Sequence, residues 1–120
     1  MNGKGILIVS ENKDLLISVT DCLRQMEFDV VTCTEGLQRN GFFKASSIKG
    51  ILLDLEMSGI DGMSMLRYLR KIHPTVPIIA LSIHKNVMGL VRAVEEGATD
   101  FMVKPIDPTQ LREKCTLVFD

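Results

Sequence analysis

Short apolar runs that each end on a polar side chain, separated by stretches with helical spacing, constrain this chain more than any other feature. The central run is Gly50-Ile51-Leu52-Leu53-Asp54, followed by Leu55-Glu56-Met57-Ser58-Gly59-Ile60-Asp61-Gly62. Its apolar residues read as a strand covered on both faces, as in a parallel sheet, and the run stops at a carboxylate. An unpaired ionised Asp there would be costly to desolvate, so something must compensate its charge. The plainer alternative is a strand-end Asp that accepts N–H bonds from the following turn.

The same grammar recurs along the chain. Gly5-Ile6-Leu7-Ile8-Val9 is a first buried strand, ending in Ser10-Glu11-Asn12. Leu15, Val19, Cys22, Leu23 and Met26 then mark an amphipathic helix from about Asn12 to Met26. Phe28 to Cys33 is β-branched enough for a second strand. Residues 35–49 are the least legible; Leu37, Phe42, Phe43 and Ile48 suggest a helix, interrupted by Gly41. After the central strand, Met63, Leu66, Leu69 and Ile72 give a helix that His73-Pro74 can end. Pro77 to Ser82 is a fourth strand, and Val87, Leu90, Val91 and Val94 mark a helix stopped by Gly97. Phe101 to Lys104 is a fifth strand. Asp107-Pro108 then caps and starts a last helix running to about Phe119. Strands alternating with helices through short connections predict an α/β parallel sheet with helices on both faces. Ligands of such sheets gather at the carboxyl ends of the strands.

Composition narrows the function classes. The chain has 120 residues, enough for one domain with a real core, and 46% hydrophobic with 24% charged residues argues against disorder. A formal net charge of −1 gives no global field favouring nucleic acid or an anionic membrane. No apolar run approaches a spanning helix and no signal-peptide pattern stands at the N-terminus, so a cytoplasmic location is expected. Cys22, Cys33 and Cys115 lack metal or disulfide spacing and read as core residues in a reducing compartment. His73 and His84 show no ligand spacing either.

The residues closing strands one, three, four and five are Ser10-Glu11, Asp54, Ser82 and Lys104. Two carboxylates, a hydroxyl and an ammonium would therefore meet on one rim. Singly, each has an ordinary reading as a solvated or backbone-bonded residue. Together they suit phosphoryl chemistry: a carboxylate nucleophile, oxygen ligands for a divalent cation, and a lysine and hydroxyl to grip phosphoryl oxygens.

From Ile6 to the final helix the chain resembles the receiver domain of bacterial two-component response regulators. The resemblance is carried by Ile-Leu-Ile-Val-Ser10-Glu11, Ile-Leu-Leu-Asp54-Leu-Glu-Met-Ser-Gly-Ile-Asp-Gly62, Pro-Ile-Ile-Ala-Leu-Ser82 and Gly97-Ala-Thr-Asp-Phe101-Met-Val-Lys104-Pro105. It implies that residues 1–120 form a single-domain, flavodoxin-like (βα)5 doubly wound sheet of strand order 2-1-3-4-5. It further implies that Asp54 is the phosphoacceptor for a histidine kinase's or phosphotransfer protein's phosphohistidine. Glu11, Asp54 and the Glu56 backbone carbonyl would hold Mg²⁺, while Lys104 and Ser82 would take catalytic parts. Ser82 and Phe101 would be the switch pair, and the Lys104–Pro105 peptide would be cis. The surface made by helix four, strand five and helix five would meet an output domain, a downstream protein or a second copy. The chain would then be a signalling domain rather than an enzyme with external turnover, binding neither nucleic acid nor membrane itself.

Glu11 stands for the commoner Asp and Ser58 for a common proline, but two other departures from the family pattern matter more. Receivers usually carry two acids after strand one, and Ser10 replaces the first. Unit charges about 4 Å apart interact by roughly 4 kcal/mol at an effective dielectric near 20, so weaker Mg²⁺ binding is expected. Ile83 stands where a small residue is preferred and should narrow the entrance to Asp54. These departures favour an alternative, a degenerate receiver working as a phosphorylation-independent interaction module. A haloacid-dehalogenase-like phosphatase would need a second Asp where Glu56 stands. An FMN-binding flavodoxin would need a hydroxyl-rich loop where Glu11 and Asp14 lie.

Overall fold

A computed structural model describes residues 5–33 and 48–119. In chain order they form β1 (Gly5–Val9), α1 (Lys13–Gln25), β2 (Asp29–Cys33), β3 (Ile48–Asp54), β4 (Glu56–Met57), β5 (Ile60–Asp61), α2 (Gly62–Ile72), β6 (Ile78–Ser82), α3 (Val87–Glu95), β7 (Asp100–Val103) and α4 (Pro108–Phe119). Five strands pair in parallel in the order β2-β1-β3-β6-β7. That is the expected 2-1-3-4-5 once β4 and β5, a small antiparallel pair of their own, are set apart. Most of the helix expected within 35–49 lies outside the described residues. Ile48 and Lys49 correct that reading, because they begin β3: Ile48 pairs with Gly5 and is buried, while Lys49 alternates to the exposed side.

Alternation along the strands builds two cores. Leu7, Val9, Ile51, Leu53, Ile78 and Ala80 face α2 and α3, where Leu66, Leu69 and Ala93 meet them. Ile6, Ile8, Leu52, Ile79, Leu81 and Met102 face α1 and α4, and pack with Val19, Leu23, Leu111 and Phe119. All three cysteines are buried, in keeping with a core role. Three helices, α1, α3 and α4, start on side-chain caps: Asn12 accepts from the Leu15 amide, Asn86 from that of Gly89 and Asp107 from that of Gln110. Apolar spacing locates α3, although Val87, Val91 and Val94 on it are exposed and the buried residue is Ala93.

At the amino ends of β6 and β7 a single side chain ties the elements together. Arg70 donates to the carbonyls of His73 (2.8 Å), Val76 (2.7 Å) and Gly97 (2.7 and 3.1 Å). Gly97 sits at φ 123°, and a Cβ there would run into the Arg70 side chain. His73 is buried beside this clamp with its Nδ1 unpartnered.

Candidate functional site

Register decides which residues meet at the carboxyl rim. Val9 lies opposite Leu53, so the residues that follow, Ser10 and Asp54, come side by side. By alternation both share the α1–α4 side with Ile8 and Leu52. The Ser10 hydroxyl donates to Asp54 Oδ2 at 2.6 Å, and the Asn12 amide donates to Ser10 Oγ at 3.1 Å. Both are almost completely buried, with Ser10 0% and Asp54 1% exposed. Lys104 follows β7, fixed by its amide to the Ser82 carbonyl at 2.8 Å, and keeps the parity of Met102. Its ammonium therefore reaches the same side and pairs with Asp54 Oδ1 at 2.5 Å. The Glu56 amide turns back to donate to that oxygen at 2.9 Å. Asp54 thus gains the charge compensation that its burial requires. The Lys104–Pro105 peptide is cis, as expected.

Ser82 and Phe101 have the opposite parity and face the α2–α3 side. The Ser82 hydroxyl does not engage Asp54; it donates to Glu56 Oε2 at 2.6 Å, and the Ile83 amide donates to Glu56 Oε1 at 3.0 Å. Lys104 also reaches Glu56 Oε1, at 3.0 Å. Burial lowers the Lys104 pKa, but its hydrogen bonds and charge pairing with Asp54 and Glu56 outweigh this and hold the ammonium above its ordinary range. Glu11 is exposed and leans over the rim to the β4–β5 turn, where Oε2 accepts the Ser58 amide at 2.8 Å. That bond holds its carboxyl below the usual range, against the repulsion of the nearby Asp54 charge. Phe101 lines a hollow of about 390 Å³ together with Glu56, Asp61, Ser82, His84 and Arg92. Ile83 is largely exposed and edges a second groove with Asn12, Leu15 and Lys104.

The structure therefore brings Asp54, Lys104 and Ser82 into one hydrogen-bonded network, with Glu11 at its edge. The Glu56 side chain and the Ser10 hydroxyl join it too, in parts that the sequence did not signal. Glu56 stood out there only for its backbone carbonyl, and Ser10 only as a missing acid.

A family model described as the response regulator receiver domain matches residues 6–116. The chain belongs to that family. This receiver domain is 33% identical over 100 residues to the transcriptional regulatory protein PrrA of Mycobacterium tuberculosis, covering 83% of the chain and 43% of the relative. The chain thus spans under half the length of that curated relative. Among solved structures, the NtrX receiver domain of Brucella abortus superposes with a TM-score of 0.84 at 25% identity, covering 95% of this chain and 97% of that one. A two-component response regulator of Clostridium difficile superposes with a TM-score of 0.86 at 20% identity, covering 95% and 93%, and so agrees in fold. The receiver domain is a signalling domain of two-component systems, with a flavodoxin-like fold. Among its described residues no helix is long and apolar enough to cross a membrane.

Receiver domains bind Mg²⁺ at their acidic pocket. Among the described residues no three His, Cys, Asp or Glu side chains gather as a metal cage, and the Glu56 carboxylate is bound to Ser82 and Lys104. What remains is the pair Glu11 and Asp54, with the Glu56 carbonyl. One or two carboxylates and further oxygens suit Mg²⁺, which keeps several of its waters. The donor chemistry fits, with one charge fewer than an acid at position 10 would supply.

Proposed function

We propose that Asp54 accepts a phosphoryl group from the phosphohistidine of a histidine kinase or phosphotransfer protein. In the transfer the donor's N–P bond breaks as a bond from an Asp54 carboxylate oxygen to phosphorus forms. The observation that carries this reading is the buried Asp54 carboxylate paired with Lys104 and aligned by Ser10 at the carboxyl end of β3. Lys104 offsets the charge that develops on the phosphoryl oxygens, a preorganised contact of the kind that lowers such barriers. Glu11, Asp54 and the Glu56 carbonyl would hold Mg²⁺, which when bound neutralises phosphate charge.

The added charge shifts the position of Ser82, and Phe101, on the same side of the sheet, follows into the neighbouring hollow. The surface of α3, β7 and α4 then changes its affinity for an output domain, a downstream protein or a second copy. The exposed Val87, Met88, Val91 and Val94 on α3 support that assignment. On this reading residues 1–120 act as one cytoplasmic receiver domain without external turnover.

Acetyl phosphate and MgCl₂ should add the mass of one phosphoryl group to the intact protein and none to Asp54→Asn. No adduct from acetyl phosphate or any phosphohistidine donor would overturn the reading. Partner binding that ignored Asp54→Asn would favour the phosphorylation-independent module instead.

A further inference from the structure

A phosphoryl group on Asp54 needs donors for its oxygens, and the rim offers the Ser82 hydroxyl, the Ile83 amide and the Lys104 ammonium. In the resting protein all three already converge on one anion, the carboxylate of Glu56. Ser82 Oγ donates to Oε2 at 2.6 Å, and Oε1 accepts from the Ile83 amide and Lys104 Nζ, both at 3.0 Å. Such charge-assisted bonds are among the stronger ones in proteins. The hairpin places Glu56 for this task. Its amide is bound to Asp54 Oδ1, so the backbone is pinned beside the phosphoacceptor while the side chain crosses to the Ser82 side.

We propose that the Glu56 carboxylate is an internal oxyanion that occupies the phosphoryl-binding donors of the unmodified domain, and that an arriving phosphoryl group must displace it. The proposal rests on the reading of Asp54 as phosphoacceptor and adds a resting occupant to that site. The hollow of about 390 Å³ beside Glu56 gives the displaced carboxylate room and a cation, Arg92, among its lining residues. Phe101 lines the same hollow, so Glu56 and the aromatic ring share the space into which either can move. A site whose donors are self-occupied binds an external oxyanion with an affinity reduced by the fraction of time it is vacant.

The test is titration of the intact chain with beryllofluoride and MgCl₂, followed through the Ile83 amide resonance. Wild type, Glu56→Ala, Glu56→Asp and Asp54→Asn are compared. Glu56→Ala removes the occupant; Glu56→Asp keeps the charge on an arm one methylene too short to span the three donors. Both should bind beryllofluoride about tenfold more tightly than wild type. In both, the unliganded Ile83 amide should move upfield of its wild-type position. Unchanged affinity in Glu56→Ala would overturn the proposal. So would tightening in Glu56→Ala alone, which would mean simple charge repulsion. In either case, wild-type binding that Asp54→Asn abolishes would leave the phosphoacceptor reading intact. Absence of beryllofluoride binding in wild type and both Glu56 variants would overturn that reading and this proposal with it.

Discussion

The two ends of the sheet are held by different balances of bond. At the carboxyl rim, beside main-chain amides that donate to carboxylates, charged and hydroxyl side chains bind one another: Ser10 and Lys104 to Asp54, and Lys104 and Ser82 to Glu56. At the amino ends of β6 and β7, Arg70 binds main-chain carbonyls at His73, Val76 and Gly97. A network of rotatable side chains can be rewired by one added anion, whereas a clamp on the backbone yields only if the chain around it moves. One end is built for exchange and the other for anchorage.

Cutting each end separately should break the symmetry. Lys104→Met should slow phosphorylation by acetyl phosphate about a hundredfold or more, the usual effect of losing a charge-stabilising donor. Its denaturation midpoint should move less than that of Arg70→Met. Arg70→Met strands three carbonyls and should cost about 2–4 kcal/mol in denaturant titration, while the phosphorylation rate stays within about twofold. Equal losses of rate in both variants would erase the distinction.

A pH series sharpens it. Burial, then the Arg70 charge, hold His73 below its ordinary range, so the folded state resists protonation more than the unfolded chain does. Stability should therefore fall as pH drops below about 6.5, by no more than about 1.4 kcal/mol per pH unit for one proton. His73→Gln should flatten that slope between about pH 6.5 and 5.5 in thermal melts. The smallest effect belongs to Ser10. Restoring an acid with Ser10→Asp should tighten Mg²⁺ binding, measured by calorimetry, by roughly threefold to tenfold, because repulsion between the new carboxylate and those of Asp54 and Glu11 offsets most of the added attraction.

Much of this architecture was legible because buried parallel strands leave a plain trace. Ile6–Val9, Ile51–Leu53 and Ile78–Leu81 are continuous apolar runs, and each delivers a polar residue to the rim. Asp54 and Lys104 were foreseeable as neighbours for the same reason. The start of β3 was hidden because Lys49 interrupts the run with an outward-facing charge. The β4–β5 hairpin is too short to show a period. The part played by the Glu56 side chain escaped notice because it depends on the turn that carries it across the sheet, which spacing does not encode. Val87, Val91 and Val94 marked the helix correctly, yet α3 seats on the small Ala93 and leaves them outside. Arg70 has ordinary helical spacing, and its clamp is visible only once Val76 and Gly97 are brought beside it by the fold.

The most direct test of the account is to locate the modified carboxyl. After treatment with acetyl phosphate and MgCl₂, borohydride reduces an acyl phosphate to the alcohol, which tandem mass spectrometry of peptides can place. Homoserine is expected at position 54. Reduction at Glu11 or Glu56 instead, or an unreduced Asp54 in protein that carries the phosphoryl mass, would contradict it.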